Sequence, residues 1–200
     1  MRCECNCGEN HLARGGNLMP YGTSKQRIIT GSAIVLAGEI PSGHIVPITC
    51  RGSFNSDSFK ESCFDDVDAT LKTRVAKGDI LVTGRRFAKG EVGEESVMTL
   101  TSLGFACLVA ISINRLFLRN AVNLGFPVVI LPVALDMISD GDILEVDPFD
   151  SLVRNVTRGL AAKGRMLSST SRRILEAGGI VNDVLAQIEK KKIKTTHVGD

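Results

Sequence analysis

Tryptophan is absent from the 200 residues, tyrosine occurs once, and aromatic residues make up only 4% of the chain. A core built on stacked rings is therefore excluded. The 44% hydrophobic fraction has to come from Ile, Leu, Val and Ala, the usual filling of a buried sheet covered by helices. An excess of charge of either sign is also missing, because 24 basic and 22 acidic residues leave a formal net charge of +2. That balance removes the electrostatic case for a nucleic acid or a membrane surface as partner. The run Lys190-Lys191-Lys192 reads as a solvated helix end, where cations suit the dipole. No apolar run approaches the roughly 20 residues of a membrane span, and no apolar signal core follows the N-terminus. The expectation is a soluble, cytoplasmic protein.

Paired C-x-x-C motifs are missing as well. Cys50, Cys63 and Cys107 are scattered and read as free thiols of a reducing compartment. Cys3, Cys5 and Cys7 form a tight C-x-C-x-C with His11 just beyond. Thiolates this close could share a soft metal ion. The spacing is not that of a structural zinc site, however, and no second pair follows, so exposed thiols on a tail are the plainer reading and no metal site is expected.

What is present is a succession of short apolar runs closed by glycines. Residues 1–30 carry repeated Gly, Asn and Pro breaks and read as an irregular N-terminal extension. The sequence "GSAIVLAGEI" (31–40) opens a strand with Ala33 and Val35 to one face, and "HIVPIT" (44–49) reads as a second extended piece. Helical turns are expected in "SCFDDVDATLKTRV" (62–75), then a buried strand "DILVTG" (79–84). A polar loop from Gly84 follows. A helix ending at Gly104 comes next, and then a strand "ACLVAI" (106–111). The helix "NRLFLRNAVNLG" (114–125) should turn Leu116, Phe117, Ala121 and Leu124 to one side, ahead of a strand "FPVVIL" (126–131). Strand–helix–strand–helix–strand over 79–131 makes two consecutive βαβ units with parallel strands and right-handed crossovers. In such sheets ligands lie beyond the carboxyl ends of the strands, where the loop Gly84–Glu95 emerges. Beyond it, 139–147 and 151–159 look like a hairpin, and a helix broken at Gly178-Gly179 leads into a second helix.

Three stretches carry a family resemblance: "FDDVDATLKTRVAKGDILVTGRRFAKG", "LGFACLVAISINRLFLRNAVNLGFPVV" and "RRILEAGGIVNDV". In order and content they resemble the small subunit of 3-isopropylmalate dehydratase, the swivelling domain of the aconitase superfamily, over roughly residues 31–186. The resemblance implies an α/β fold: a single swivelling β/β/α domain (31–190) with a mostly parallel central sheet flanked by helices, and a C-terminal tail at 191–200. It implies a subunit that holds no cofactor itself and lids a large partner carrying a [4Fe-4S] cluster. In the implied heterodimer the pair dehydrates and rehydrates a small 2-hydroxy acid such as isopropylmalate, a step of leucine biosynthesis. The family's loop reads G-x-N-F-G-x-G-S-S-R-E-H, with the first serine implied as the base and the arginine as the carboxylate clamp.

Here Gly84, Phe87 and Gly90 keep the frame of that loop, but Arg86 stands for Asn, Glu91 and Val92 for the serines, Gly93 for Arg and Glu95 for His. The earlier family motif N-I-D-T-D-x-I-I-P reads "EIPSGHIVP", with both aspartates gone. One reading is altered chemistry: Glu91 is the base, and Arg86, Arg85 or Arg51 replaces the carboxylate clamp. The other is that Glu91, Glu94 and Glu95 merely open a helix while the arginines are solvated strand ends. In that case the chain would be a catalytically silent paralogue that binds and regulates a large subunit.

Overall fold

In the computed structural model of the chain, residues 27–46, 63–64 and 66–196 are described, the last helix with side chains as far as Lys190. Seven strands form one mixed sheet: β1 (Ile29–Leu36), β2 (Ile80–Thr83), β3 (Cys107–Ala110), β4 (Val128–Ile130), β5 (Ile143–Asp147), β6 (Leu152–Asn155) and β7 (Leu160–Lys163). Their order is β4-β3-β2-β1-β5-β6-β7. The run β1-β2-β3-β4 pairs in parallel. From β5 onward every pairing is antiparallel.

β1 is the switch between the two regimes. Its first half, Ile29 to Ser32, pairs antiparallel with β5, and its second half, Ala33 to Leu36, pairs parallel with β2. The two βαβ units read from the sequence are therefore present and form the parallel half of the α/β fold. The expected hairpin of 139–157 is β5 with β6. It extends to a further edge strand, β7, that was not foreseen.

Among the described residues the helices are α1 (Ser42–Ile45), α2 (Leu71–Arg74), α3 (Glu95–Leu103), α4 (Arg115–Leu124), α5 (Ala134–Met137), α6 (Ser169–Glu176) and α7 (Ile180–Thr196). Every residue of β2 and β3 is buried, because both sheet faces are covered. One face carries Ile34, Leu36, Leu81, Leu108 and Ala110 against Leu100, Phe105, Phe117 and Phe126. The opposite face packs Ala33, Ile80, Val82, Cys107 and Val109 against Ala134 and Met137. This alternation is the period of two expected of a strand buried on both sides.

α3 and α4 end as their sequences suggest, at Gly104 and Gly125, both left-handed. At Gly125 a second constraint applies, since a Cβ there would lie 2.6 Å from the carbonyl carbon of Gly178. The break at Gly178-Gly179 is thus also where the C-terminal helices press on α4. Asp183 on α7 takes both arms of Arg173 on α6, at 3.0 and 3.2 Å, and locks the two helices together.

Two local readings are corrected. The piece read as extended from His44 begins instead as the one-turn α1, because Pro41 sits at the residue before the turn with φ −62° and the Val46 amide closes onto Ser42 O. Leu116 does not face the core: it is 51% exposed, and Val122 is buried with Phe117 and Ala121 instead. The cause is the 100° step of the helix. Once Phe117 and Ala121 define the buried stripe, position 116 falls at its rim.

Candidate functional site

Three chain segments leave the carboxyl ends of neighbouring parallel strands: 37–41 after β1, 84–94 after β2 and 111–114 after β3. The middle one is pinned between the other two by backbone hydrogen bonds. On one side the Ala88 amide donates to Ile40 O at 2.8 Å and the Ser42 amide to Lys89 O at 2.8 Å. On the other, the Phe87 amide donates to Ser112 O and the Asn114 amide to Phe87 O, both at 3.0 Å. The loop thus continues the sheet for a few residues past its edge. Phe87 anchors it from below, being 1% exposed and meeting Phe117 of α4 edge-on with ring centroids 5.1 Å apart.

The backbone of this loop is bent hard. Arg86 and Ala88 have φ of 57° and 59°, the left-handed region, and Gly90 has 109°. For residues with a Cβ such a conformation costs on the order of 1–3 kcal/mol each and persists only where the surroundings impose it. Those surroundings are visible: the Ser112 hydroxyl accepts from the Arg86 amide at 2.9 Å, and Asn114 Nδ2 donates to both Ala88 O and Gly90 O at 3.0 Å.

Two of the expected site residues stand together at the outer rim. Arg85 and Arg86 are exposed neighbours, and Arg86 Nη1 lies 3.5 Å from Glu39 Oε1. Lys89 Nζ approaches the same carboxylate at 3.9 Å, so Glu39 bridges two cations of the loop from the segment after β1. Both contacts are solvent-exposed and contribute little to stability. Arg85 has no ion pair among the described residues and is the uncommitted cation of the loop. Glu91 follows Gly90 on the exposed side, before α3 begins. Glu94 sits at the residue preceding α3 with no side-chain cap bond, and Glu95 lies in the first turn, so those two occupy the helix-entry role. Glu91 lies ahead of that turn. Arg51, Cys50 and the Cys3, Cys5, Cys7 and His11 cluster lie outside the described residues.

Glu39, Ser112 and Asn114 are the site residues that sequence reasoning missed. Asn114 had a legible signal, standing just before an apolar helix where a cap belongs. It does accept from the Leu116 amide at 2.8 Å. Thr83, the last residue of β2, has a fully buried hydroxyl with no hydrogen-bond partner among the described residues.

Among the described residues no group of three His, Cys, Asp or Glu could hold a metal ion. Cys63 and Cys107 are both buried, and burial pushes the Cys107 thiol far up. A cleft of about 270 Å³ between α4 and α6, lined by Arg115, Arg119, Asn123 and Ser171 among others, takes in none of the loop residues. No helix among the described residues is long and apolar enough to cross a membrane.

No family model matches the chain. It is 33% identical, over 79% of its length and 98% of the relative, to the 3-isopropylmalate dehydratase small subunit of Caldanaerobacter subterraneus subsp. tengcongensis. It is 35% identical over 77% of its length, and 95% of the relative, to that of Pyrobaculum calidifontis. The 2,3-dimethylmalate dehydratase small subunit of Eubacterium barkeri is 30% identical over 78% of this chain and 96% of its own. Among solved structures, a 3-isopropylmalate dehydratase from Methanocaldococcus jannaschii superposes with a TM-score of 0.73 at 28% identity, covering 86% of this chain and 99% of that one. With the parallel half-sheet and its strand-end loop in place, these likenesses run the length of the fold, and the chain belongs to the family of 3-isopropylmalate dehydratase small subunits, the smaller chains of heteromeric hydro-lyases.

Proposed function

We propose that this chain is the cytoplasmic lid subunit of a heterodimeric hydro-lyase acting on a small 2-hydroxy acid of the isopropylmalate type, in leucine biosynthesis, and that its altered loop is catalytically competent. The large subunit would supply the facing wall of the site and a [4Fe-4S] cluster, whose Lewis acidity would suit the departing hydroxyl. Elimination of water requires a base for the proton next to a carboxylate and a cation for that carboxylate. Glu91 is the base. An ionised carboxylate only accepts, so it can take the proton but cannot also clamp a second carboxylate. The clamp falls to Arg85 and Arg86 and, by its place in the sequence, Arg51.

The observation that carries this reading is Arg86. An arginine in the left-handed region is an expensive choice where Asn would sit more easily, and the fold nevertheless holds it there with Ser112 and faces it with Glu39. Strain of this kind accumulates at working sites. Co-expression with a cluster-bearing large subunit, then hydration assays on a panel of 2-hydroxy acids, tests the proposal. Glu91→Gln should cut turnover by about 100-fold or more, the scale of general-base removal. Arg86→Ala should act mainly on KM. An active complex in which Glu91→Gln runs at full rate removes Glu91 as base and leaves the loop a charged helix entry beside the interface.

A further inference from the structure

We infer that Asn114 is a positioning residue of the reaction, a side chain that ties the start of helix α4 by hydrogen bonds to the strained loop carrying Arg86 and Glu91. The inference rests on the loop being the working surface.

Asn114 uses both ends of its amide. Oδ1 accepts the Leu116 amide at 2.8 Å and caps α4. Nδ2 donates to Ala88 O and to Gly90 O, each at 3.0 Å. The orientation of the amide follows from its neighbours, because a flipped group would set its oxygen against two carbonyls and its NH2 against an N–H. The two carbonyls flank Lys89 and end immediately before Glu91. Together with the Asn114 amide on Phe87 O, three carbonyls of the 87–90 stretch are tied to this one residue. With Ala88 at φ 59° and Gly90 at 109°, the carbonyls of residues 88 and 90 meet the same donor, while Lys89 O between them accepts from the Ser42 amide. A donor with two N–H groups matches that geometry, and Ser or Asp in the same place offers none or only one.

The capping and tethering functions can be separated. Asp and Ser cap a helix about as well as Asn. Asn114→Asp would keep the bond to the Leu116 amide and turn both donations into oxygen–oxygen repulsion. Asn114→Ser would keep the cap with a side chain too short to span both carbonyls. Complexes of the large subunit with each variant are compared with the parent for melting temperature, kcat, KM and amide hydrogen exchange over residues 86–91. The expected result is a melting temperature lowered by at most a few degrees, the cost of the two lost loop contacts, because the cap itself is kept. Exchange at the Arg86, Phe87 and Ala88 amides should be faster. kcat should fall at least about ten-fold with a smaller change in KM, as loss of placement rather than of binding would give.

Parent-like kcat and parent-like exchange in Asn114→Asp would overturn the inference. So would a loss of turnover in both variants with parent-like exchange over residues 86–91, because the effect would then not run through the loop. A large fall in kcat for Asn114→Asp beside a fully active Glu91→Gln would uphold Asn114 while removing Glu91 as base, so the two readings fail separately.

Discussion

Replacing Gly84 by alanine probes whether backbone contact, rather than charge, sets the loop. The glycine lies at the exit of β2, and its amide reaches Leu36 O at 3.3 Å. Its φ is not in the left-handed region, so alanine meets no conformational objection there. The objection is contact: a Cβ would sit 2.2 Å from Ala37 O, 3.1 Å from Ala37 C and 3.2 Å from Gly38 O. The first contact needs about 0.8 Å of retreat to reach even 3.0 Å, and all three atoms are backbone of the segment leaving β1.

Overpacking of this kind costs roughly 1–3 kcal/mol, offset by about 0.4–1 kcal/mol from the stiffer unfolded chain. The net, on the order of 1–2 kcal/mol, lowers the melting temperature by about 2–8 °C in a chain of this length. Gly93→Ala is the control. Its Cβ would come within 1.9 Å of Glu95 Oε2, a closer contact on paper, but that atom ends a flexible side chain that can swing away. It should melt within about 2 °C of the parent. Calorimetric melts of the two variants decide the matter. The reasoning is refuted if Gly84→Ala melts like the parent, or if Gly93→Ala is destabilised as much.

Two further outcomes follow from buried polar groups. Thr83→Val exchanges an unpartnered buried hydroxyl for a methyl of the same shape and should be neutral or stabilise by about 1 kcal/mol in urea melts, whereas a clear loss would mean that the hydroxyl is bonded. The Ser139 amide, with Asn155 and the Arg158 guanidinium, holds the Asp142 carboxyl below its usual range, and the Thr70 hydroxyl does the same for Asp68. Because the folded value lies below the unfolded one, this stability is intact above the ordinary aspartate value near about pH 4 and is lost as pH falls through the depressed one. The urea midpoint should therefore drop between about pH 5 and pH 3, less steeply in Asp142→Asn, and an unchanged slope in that variant would contradict the assignment.

The parallel half of the fold was legible because its strands are apolar runs cut off by glycines, a signal that does not depend on partners. β7 was not, because Leu160 to Lys163 is an edge strand with no residue fully buried and hence no alternation to read. α1 was misread for a different reason. Its turn is stabilised from outside, by the Ser42 amide on Lys89 O, a contact between segments far apart in the chain. The site divides in the same way. That a loop leaves β2 at the ligand end follows from the βαβ order alone. That Glu39 faces Arg86, and that Asn114 serves two carbonyls across the loop, depends on register between strands, which residue order does not encode locally.

The loop's departures from the family pattern fall into an order that the structure explains. Three positions that keep the motif have a backbone or packing reason, whereas Glu94, also kept, stands before α3 without a cap bond, and Ala88 replaces a motif glycine at φ 59°. At Gly84 a neighbouring carbonyl leaves no room for a Cβ, Phe87 is buried against Phe117, and Gly90 adopts φ 109°. Arg86, where the motif has Asn, carries an exposed side chain on a backbone held by the Ser112 hydroxyl, and Glu91, where the motif has the first serine, is exposed just beyond the tethered stretch. A loop held by its own carbonyls and amides can exchange its chemistry without losing its shape. The changed residues therefore need not mean a failing loop. On the proposed function they are the positions at which the loop follows a different acid, a carboxylate base with guanidinium neighbours standing in for a serine and an arginine further along.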